Sequence, residues 1–440
     1  MDYTLVGYHT ERFEGLVYDL VMRRLIEEQG YPKALNSLVF EFDRAIVGLV
    51  IDLRNGHMLQ LSRYNKVKRS YFGLEEVPFR RQNEIYQNMA IDIRDSNFVS
   101  LDTAFAISTG VIFSQLVSLK RQGEALPDFS QILSTISKTM DSIHQDGTLK
   151  DIIKRDFSTY VIKDPYVARL LERYKRYHKR LMIITNSDFS YTKALLDYAV
   201  NPFLKDHESW QEIFEIVITY ADKPRFFERS NRFLKIDPDT GLMENQEGPV
   251  TPGIYQGGCS SKLQEGLGLQ GNEILYLGDH IYGDVVSIKK TCNWRTALVL
   301  GDLDREMRGV RDAYETQKKI DELMQKKGLL EQEINNADRR RYETPGHPYV
   351  SLDSQFKQID EINSEISGLI NFYSSFFNPY WGEILRAGSE ESRYAEQVER
   401  YACVYMTKVS DLYEYSPRFY FRPQKMILPH EQAVLDAIDD

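Results

Sequence analysis

The stretch ILYLGDHIYGD places Asp279 and Asp284 just beyond a run of apolar residues. Two carboxylates on such a strand-to-loop turn can hold a hard divalent cation or its waters, because these ions take oxygen ligands. A second stretch, LMIITNS, ends in Thr185, Asn186 and Ser187. A hydroxyl, an amide and backbone N–H groups at one turn make a cradle for phosphate oxygens. A third, FEIVITYADKPRFF, carries Lys223, whose ammonium can neutralise charge on a transferring phosphoryl group. Taken singly, each has a plainer reading: turn-capping aspartates, a Ser/Asn turn and an exposed lysine. Brought to one place, they point to phosphoryl chemistry.

Groups this far apart in sequence need a scaffold that gathers them. LMIITNS, FEIVITYADK, EILYLGD and TALVLGD alternate with helical stretches, the pattern of βαβ units and a parallel sheet. Open α/β sheets place ligands at the carboxyl ends of their strands. Residues 181–186, 214–219, 274–278 and 296–300 are therefore predicted to be parallel strands of one sheet, with Thr185, Lys223 and Asp279 at its carboxyl edge. Upstream, Phe13, Leu16, Val17, Leu20, Val21 and Leu25 recur at helical spacing. Residues 45–72 read as a small antiparallel meander, with Asn55-Gly56 favouring a type I′ turn. From Phe98 to Leu171 the pattern is mostly helical. Beyond Leu303 the spacing predicts two helices joined by the polar segment 337–351, then helical periodicity up to about Tyr413 and an aromatic-rich close.

Composition narrows the function classes. At about 150 residues per domain, 440 residues give two to four domains. The 55 Lys+Arg against 65 Asp+Glu leave a formal charge of −10, a field that repels phosphate backbones, so nucleic-acid and membrane-surface partners are not expected. Cys259, Cys292 and Cys403 form no C-x-x-C pair, which fits a reducing compartment and offers neither a zinc site nor a disulfide framework. The start has no signal-peptide pattern and no apolar run reaches the roughly 18 residues of a spanning helix. A cytoplasmic protein is expected.

The carboxylate pair, hydroxyl turn and lysine resemble the constellation of the haloacid dehalogenase superfamily of phosphohydrolases, which also carries a D-x-D-x-T motif after its first strand. Here the chain begins Met1-Asp2-Tyr3-Thr4-Leu5. Within that superfamily the sequence resembles the cytosolic purine 5′-nucleotidases of the IMP/GMP-preferring type, whose first motif reads DMDYTL. MDYTL, TNSDFSYT, ADKPRFF, the YQGG segment, ILYLGDHIYGD, RAGSEESRYAEQVERYA and LPHE all look like that family. The resemblance spans essentially the whole chain.

It implies a Rossmann-like α/β core with an inserted α+β cap. Residues 1–9 would be a remnant of the first motif, 10–164 the cap, 165–302 the core, and 303–440 a helical hairpin with an aromatic tail. It further implies a Mg²⁺-dependent 5′-nucleotidase that acts on purine nucleoside monophosphates through an aspartyl-phosphate, passes phosphate to a nucleoside and assembles as a homo-oligomer. Asp2 would be the general acid and base, Asp2, Asp279 and Asp284 would hold Mg²⁺, and Thr185 and Lys223 would grip the phosphoryl oxygens beside Asn186 and Ser187. DSIHQDGTLK looks like the family's nucleoside-binding segment, which implies roles for Asp141, His144 and Lys150, with Phe113 stacking on the base. The arginine the family carries one turn earlier is Ser137 here.

The family's nucleophile is the first Asp of DMDYTL, and the sequence starts one residue after it. In the superfamily that Asp ends the central strand, between the strands ending at Thr185 and Asp279. Those two strands are therefore expected not to pair, with Asp2 at the mouth of the slot between them, and a truncated or misassigned start is expected. The alternative is a catalytically inactive nucleotide-binding or scaffold protein; a sugar-phosphate phosphatase would need different cap chemistry. Gly266 to Gly271 matches G-x-G-x-x-G, but it precedes a strand instead of following one, so a dinucleotide site is not expected.

Overall fold

The computed structural model describes residues 1–344, 350–422, 427, 428, 430–432, 434 and 435. Residues 345–349 of the expected 337–351 linker and Pro429 of LPHE lie outside them. The architecture is mixed α/β with several sheets. Among the described residues no helix is long and apolar enough to cross a membrane.

The first helix, α1 (Thr10–Glu27), buries Phe13, Val17, Leu20, Val21 and Leu25 on one stripe, as its periodicity requires. The meander follows as β1 (Val50–Asp52), β2 (His57–Leu61), β3 (Val67–Phe72) and β4 (Glu75–Glu76), with β5 (Phe98–Ser100) added on the far side of β1. Its first turn departs from the type I′ expectation. Asp52 pairs with His57 across a four-residue loop, and of Asn55 and Gly56 only Gly56, at φ 68°, is left-handed. The Asp52 carboxylate accepts from the Arg54 N–H at 3.0 Å and from Asn55 Nδ2 at 2.7 Å, a side-chain turn that competes with the two-residue hairpin.

Helices α2 (Ile107–Arg121), α3 (Phe129–Gln145), α4 (Thr148–Arg155) and α5 (Pro165–Arg176) lead to the five strands of a mixed parallel and antiparallel sheet. These are β6 (Met182–Ile184), β7 (Ile216–Thr219), β8 (Phe233–Ile236), β9 (Met243–Asn245) and β10 (Gly253–Gly257), in the order β9-β8-β10-β7-β6. Then β11 (Leu275–Gly278), β12 (Arg295–Val299) and β13 (Val404–Met406) pair in chain order, all parallel. The four predicted runs are thus strands, but they belong to two sheets and not to one. Among the described residues no strand pairs with the second edge of β6 or of β11.

Both free edges face one cavity of 710 Å³, lined by Ile183, Ile184, Leu275 and Leu277, with Met1 and Leu5 at one end and Phe419 and Phe421 at the other. Packing records the same gap. Every residue of β7 is buried, as a central parallel strand requires, whereas Met182, Ile184, Leu275 and Leu277 stay half-buried.

The C-terminal region differs from its periodicity. Helices α6 (Tyr314–Glu343) and α7 (Asp353–Ser374) form the expected hairpin around Ile320, Ile362 and Ile366. The stretch read as helical to Tyr413 instead holds a short helix, Arg393–Tyr401, followed by β13. Strand β13 docks on β12 because its Val404 and Met406 complete that sheet edge, a tertiary gain that local periodicity does not report. Gly268 ends a helix at φ 65° just before β11, so the G-x-G-x-x-G match is a helix stop.

Candidate active site

The carboxyl ends of β6, β7 and β11 and the first residues of the chain meet at one place. At the end of β6, Thr185 is 2% exposed and its Oγ1 accepts the Ser187 N–H at 3.1 Å. Ser187 Oγ donates to Asp2 Oδ2 at 3.0 Å, and Tyr8 OH donates to Asp2 Oδ1 at 2.6 Å. Tyr8 in turn shares a hydrogen bond with Tyr191 at 3.0 Å. Asp2 is therefore held by two hydroxyls, one of them from the 185–187 turn.

Beyond β11 the chain turns through a π-helical segment, Ile281–Val286, a local geometry that recurs at functional sites. It folds Asp284 back behind Asp279. Gly278 makes room for this: a Cβ there would lie 2.2 Å from Cβ of Asp284. Asp279 is half-buried, and its two oxygens accept from Thr4 Oγ1 at 3.0 Å and Thr103 Oγ1 at 3.1 Å. Burial and the neighbouring Asp284 raise its carboxyl above the usual carboxylate range.

Lys223 Nζ donates to Asp284 Oδ1 at 2.9 Å and to Tyr276 OH at 3.1 Å. Burial opposes the charge on each partner, but each ion outweighs it for the other. Asp284 is held below the ordinary carboxylate range and Lys223 above the ordinary lysine range. The Met1 amine lies within the field of Asp2, Lys223, Asp279 and Asp284, and burial followed by Lys223 lowers it.

The nucleoside-binding expectations meet the structure unevenly. Asn186 is bound to backbone: its side chain accepts the Lys223 N–H at 2.7 Å and donates to the Lys223 carbonyl at 3.1 Å. Phe113 is 0% exposed inside α2 and cannot stack on a base, because it sits at a core position of that helix. The ring beside His144 is Phe105, edge-on at 6.5 Å. His144 itself is half-buried, and burial followed by Lys150 holds it below the ordinary histidine range. Asp141 is exposed on α3. Lys150 Nζ pairs with Asp188 Oδ2 at 2.8 Å, so it is not a free cation.

Thr4, Tyr8, Thr103, Tyr191 and Tyr276 escaped the sequence reading. Thr4 had a signal, being the last residue of the D-x-D-x-T pattern. Thr103 had none, since it arrives from the segment just after β5.

The oxygen-only donors suit a hard divalent cation in kind, but not in number. Among the described residues no group of three or more His, Cys, Asp or Glu side chains could hold a metal ion. Lys223 occupies Asp284, and Asp2 and Asp279 are each taken up by two hydroxyls.

The model of the 5′ nucleotidase family matches residues 1–433. A 5′-nucleotidase domain-containing protein of Dictyostelium discoideum is 25% identical over 437 residues, covering 98% of this chain and 71% of the relative. The human 5′-nucleotidase domain-containing protein 2 is 24% identical over 448 residues, covering 98% and 81%. With a family model spanning almost its whole length, the chain belongs to the 5′ nucleotidase family.

Proposed function

We propose that the protein is a phosphoric monoester hydrolase of haloacid dehalogenase type, acting on purine nucleoside 5′-monophosphates such as IMP and GMP and able to pass the phosphoryl group to a nucleoside. The observation that carries this reading is the gathering of Asp2, Thr185, Ser187, Lys223 and the Asp279–Asp284 pair at one edge from four separate segments. Thr185 and the backbone of its turn would receive the phosphoryl oxygens. Lys223, already beside Asp284, would offset their charge without losing its partner. Asp2, fixed by Tyr8 and Ser187, would protonate the leaving ribose oxygen and then take a proton from the attacking water.

Two parts lie outside this residue set. A carboxylate nucleophile is needed to form the aspartyl-phosphate, and the same carboxylate would serve beside Asp279 as a ligand for Mg²⁺. One Asp at the end of an apolar strand filling the slot between β6 and β11 would supply both. A specific observation favours a second reading, a nucleotide-binding protein without catalysis: the described residues lack a complete metal-ligand set.

One assay separates the readings. Inorganic phosphate release from IMP, GMP, AMP and a sugar phosphate is measured with Mg²⁺, for the chain as given and for a chain extended by an apolar strand ending in Asp. The hydrolase reading expects release only from the extended chain, with IMP and GMP preferred, and its loss in the extended Asp279→Asn variant. Equal release by both chains overturns the nucleophile assignment. No release by either favours the binding protein.

A further inference from the structure

An aromatic ring that no step above uses stands at the mouth of the site. Tyr220 directly follows β7, is 50% exposed and has φ 43°, a left-handed conformation uncommon for any residue but glycine. Such strain costs of order 1–3 kcal/mol and persists only where the surroundings fix it. Here they do. The Tyr220 N–H donates to the Ser187 carbonyl and the Ala221 N–H to the Thr185 carbonyl, each at 3.0 Å. Asn186 adds its two hydrogen bonds to the backbone of Lys223. The 185–187 turn and the 220–223 loop are thus closed into one unit, and the residue that carries the exposed ring is hydrogen-bonded through its backbone to the turn that would take the phosphate.

The ring also faces the inserted region. Its centroid lies 5.9 Å from Nζ of Lys150 on α4, and the same ammonium is 5.4 Å from the Tyr191 ring and 2.8 Å from Asp188 Oδ2. Asp188 balances the charge of Lys150, so this flank of the mouth presents an aromatic surface and not a free cation. A strained backbone that holds an exposed ring beside a binding turn is better explained by a ligand than by packing, because an exposed ring adds little burial energy.

We propose that Tyr220 is a specificity-determining residue, its ring the wall against which the aromatic base of a nucleoside monophosphate packs while the 185–187 turn takes the phosphate. This assignment rests on the nucleotidase reading. Stacking of a base on an aromatic side chain contributes enough to change affinity tenfold or more, and a substrate without a base gains nothing from it.

The test uses the full chain in Mg²⁺ buffer and isothermal titration with three probes: GMP, ribose 5-phosphate and inorganic phosphate. Tyr220→Ala and Tyr220→Asn are expected to weaken GMP binding at least tenfold and leave the other two probes within twofold, while Tyr220→Phe binds all three like the parent. Tyr220→Asn removes the ring but suits the left-handed backbone, which separates the ring from the strain. GMP bound equally by the parent and both ring-deleted variants overturns the proposal. So does a parallel loss of all three probes, which would make Tyr220 a support of the phosphate turn. A parent chain that binds none of the three overturns the nucleotidase reading itself, a result visible before any variant is made.

Discussion

Lys223 and Asp284 carry the largest electrostatic stake of any single pair in the site. Their side chains are 15% and 4% exposed, so neither charge has water to fall back on, and removing one partner leaves the other buried and unpaired. Lys223→Met is expected to cost about 3–5 kcal/mol in urea unfolding, and adding Asp284→Asn should recover more than half of it. The pH dependence has a fixed sign. Asp284 is depressed, so its contribution is present above the ordinary carboxylate pKa of about 4 and is lost as pH falls through its lower folded value. Lys223 is raised, so its contribution is present below the ordinary lysine pKa of about 10.4 and is lost as pH rises through its higher folded value. Stability measured against pH should show both of these arms in the parent protein, and the Lys223→Met variant should lose the alkaline one.

Among the elements, α2 depends on a buried acid from another helix. Glu14 on α1 is 0% exposed, and its Oε2 accepts the Ser108 N–H at 2.9 Å in the first turn of α2. Its Oε1 has no hydrogen-bond partner. Burial outweighs the Ser108 hydrogen bonds and pushes this carboxyl up to about 7. An acid with a raised folded pKa binds its proton more tightly in the folded state. Its contribution is therefore full below about 4.5 and is lost as pH climbs through the folded value, a difference of about 3 kcal/mol. Glu14→Gln keeps an acceptor for the Ser108 N–H and cannot ionise. It should match the parent near pH 4.5 and exceed it by a few kcal/mol at pH 8. Thermal or urea unfolding at the two pH values checks this, and a variant less stable than the parent at pH 8 would contradict it. The four hydrogen bonds that join the 185–187 turn to the 220–223 loop show the same principle at a shorter range: a neighbouring element satisfies what the local backbone leaves open.

At the scale of the molecule, the two sheets share a 710 Å³ cavity and two unpaired parallel edges. Backbone groups along such edges, if buried without partners, cost about 1–3 kcal/mol each. An apolar strand entering the slot would pair with both edges and join the sheets. Hydrogen exchange should report this directly. Amides of β6 and β11 that face the slot are expected to exchange fast in the chain as given and at least a hundredfold slower in the extended chain, whose melting temperature should rise by several degrees. Unchanged exchange in the extended chain would mean that the slot does not take a strand.

Residue types and short patterns determined much of this protein. The aliphatic runs ending at Thr185, Thr219, Gly278 and Val299 are strands because fully buried parallel strands are written as such runs, and the polar residues after them lie at the carboxyl edge because strand direction puts them there. Asp2, Thr185, Lys223, Asp279 and Asp284 could be chosen on that ground together with the family resemblance. Other features depended on contacts between distant segments. Phe113 looked like a candidate for the base, but helix packing turned it into the core, and Phe105 took the place beside His144. Thr103 reaches Asp279 only because the segment after β5 folds back to the end of β11. Strand β13 was hidden in a helical periodicity, since its pairing with β12, Val404 against Ala297, is a gain made far away in the sequence. The split of the expected sheet into two, and the strained ring of Tyr220 at the mouth between them, belong to tertiary structure alone: strand pairing and backbone strain are set by which segments meet, and no local pattern encodes a meeting.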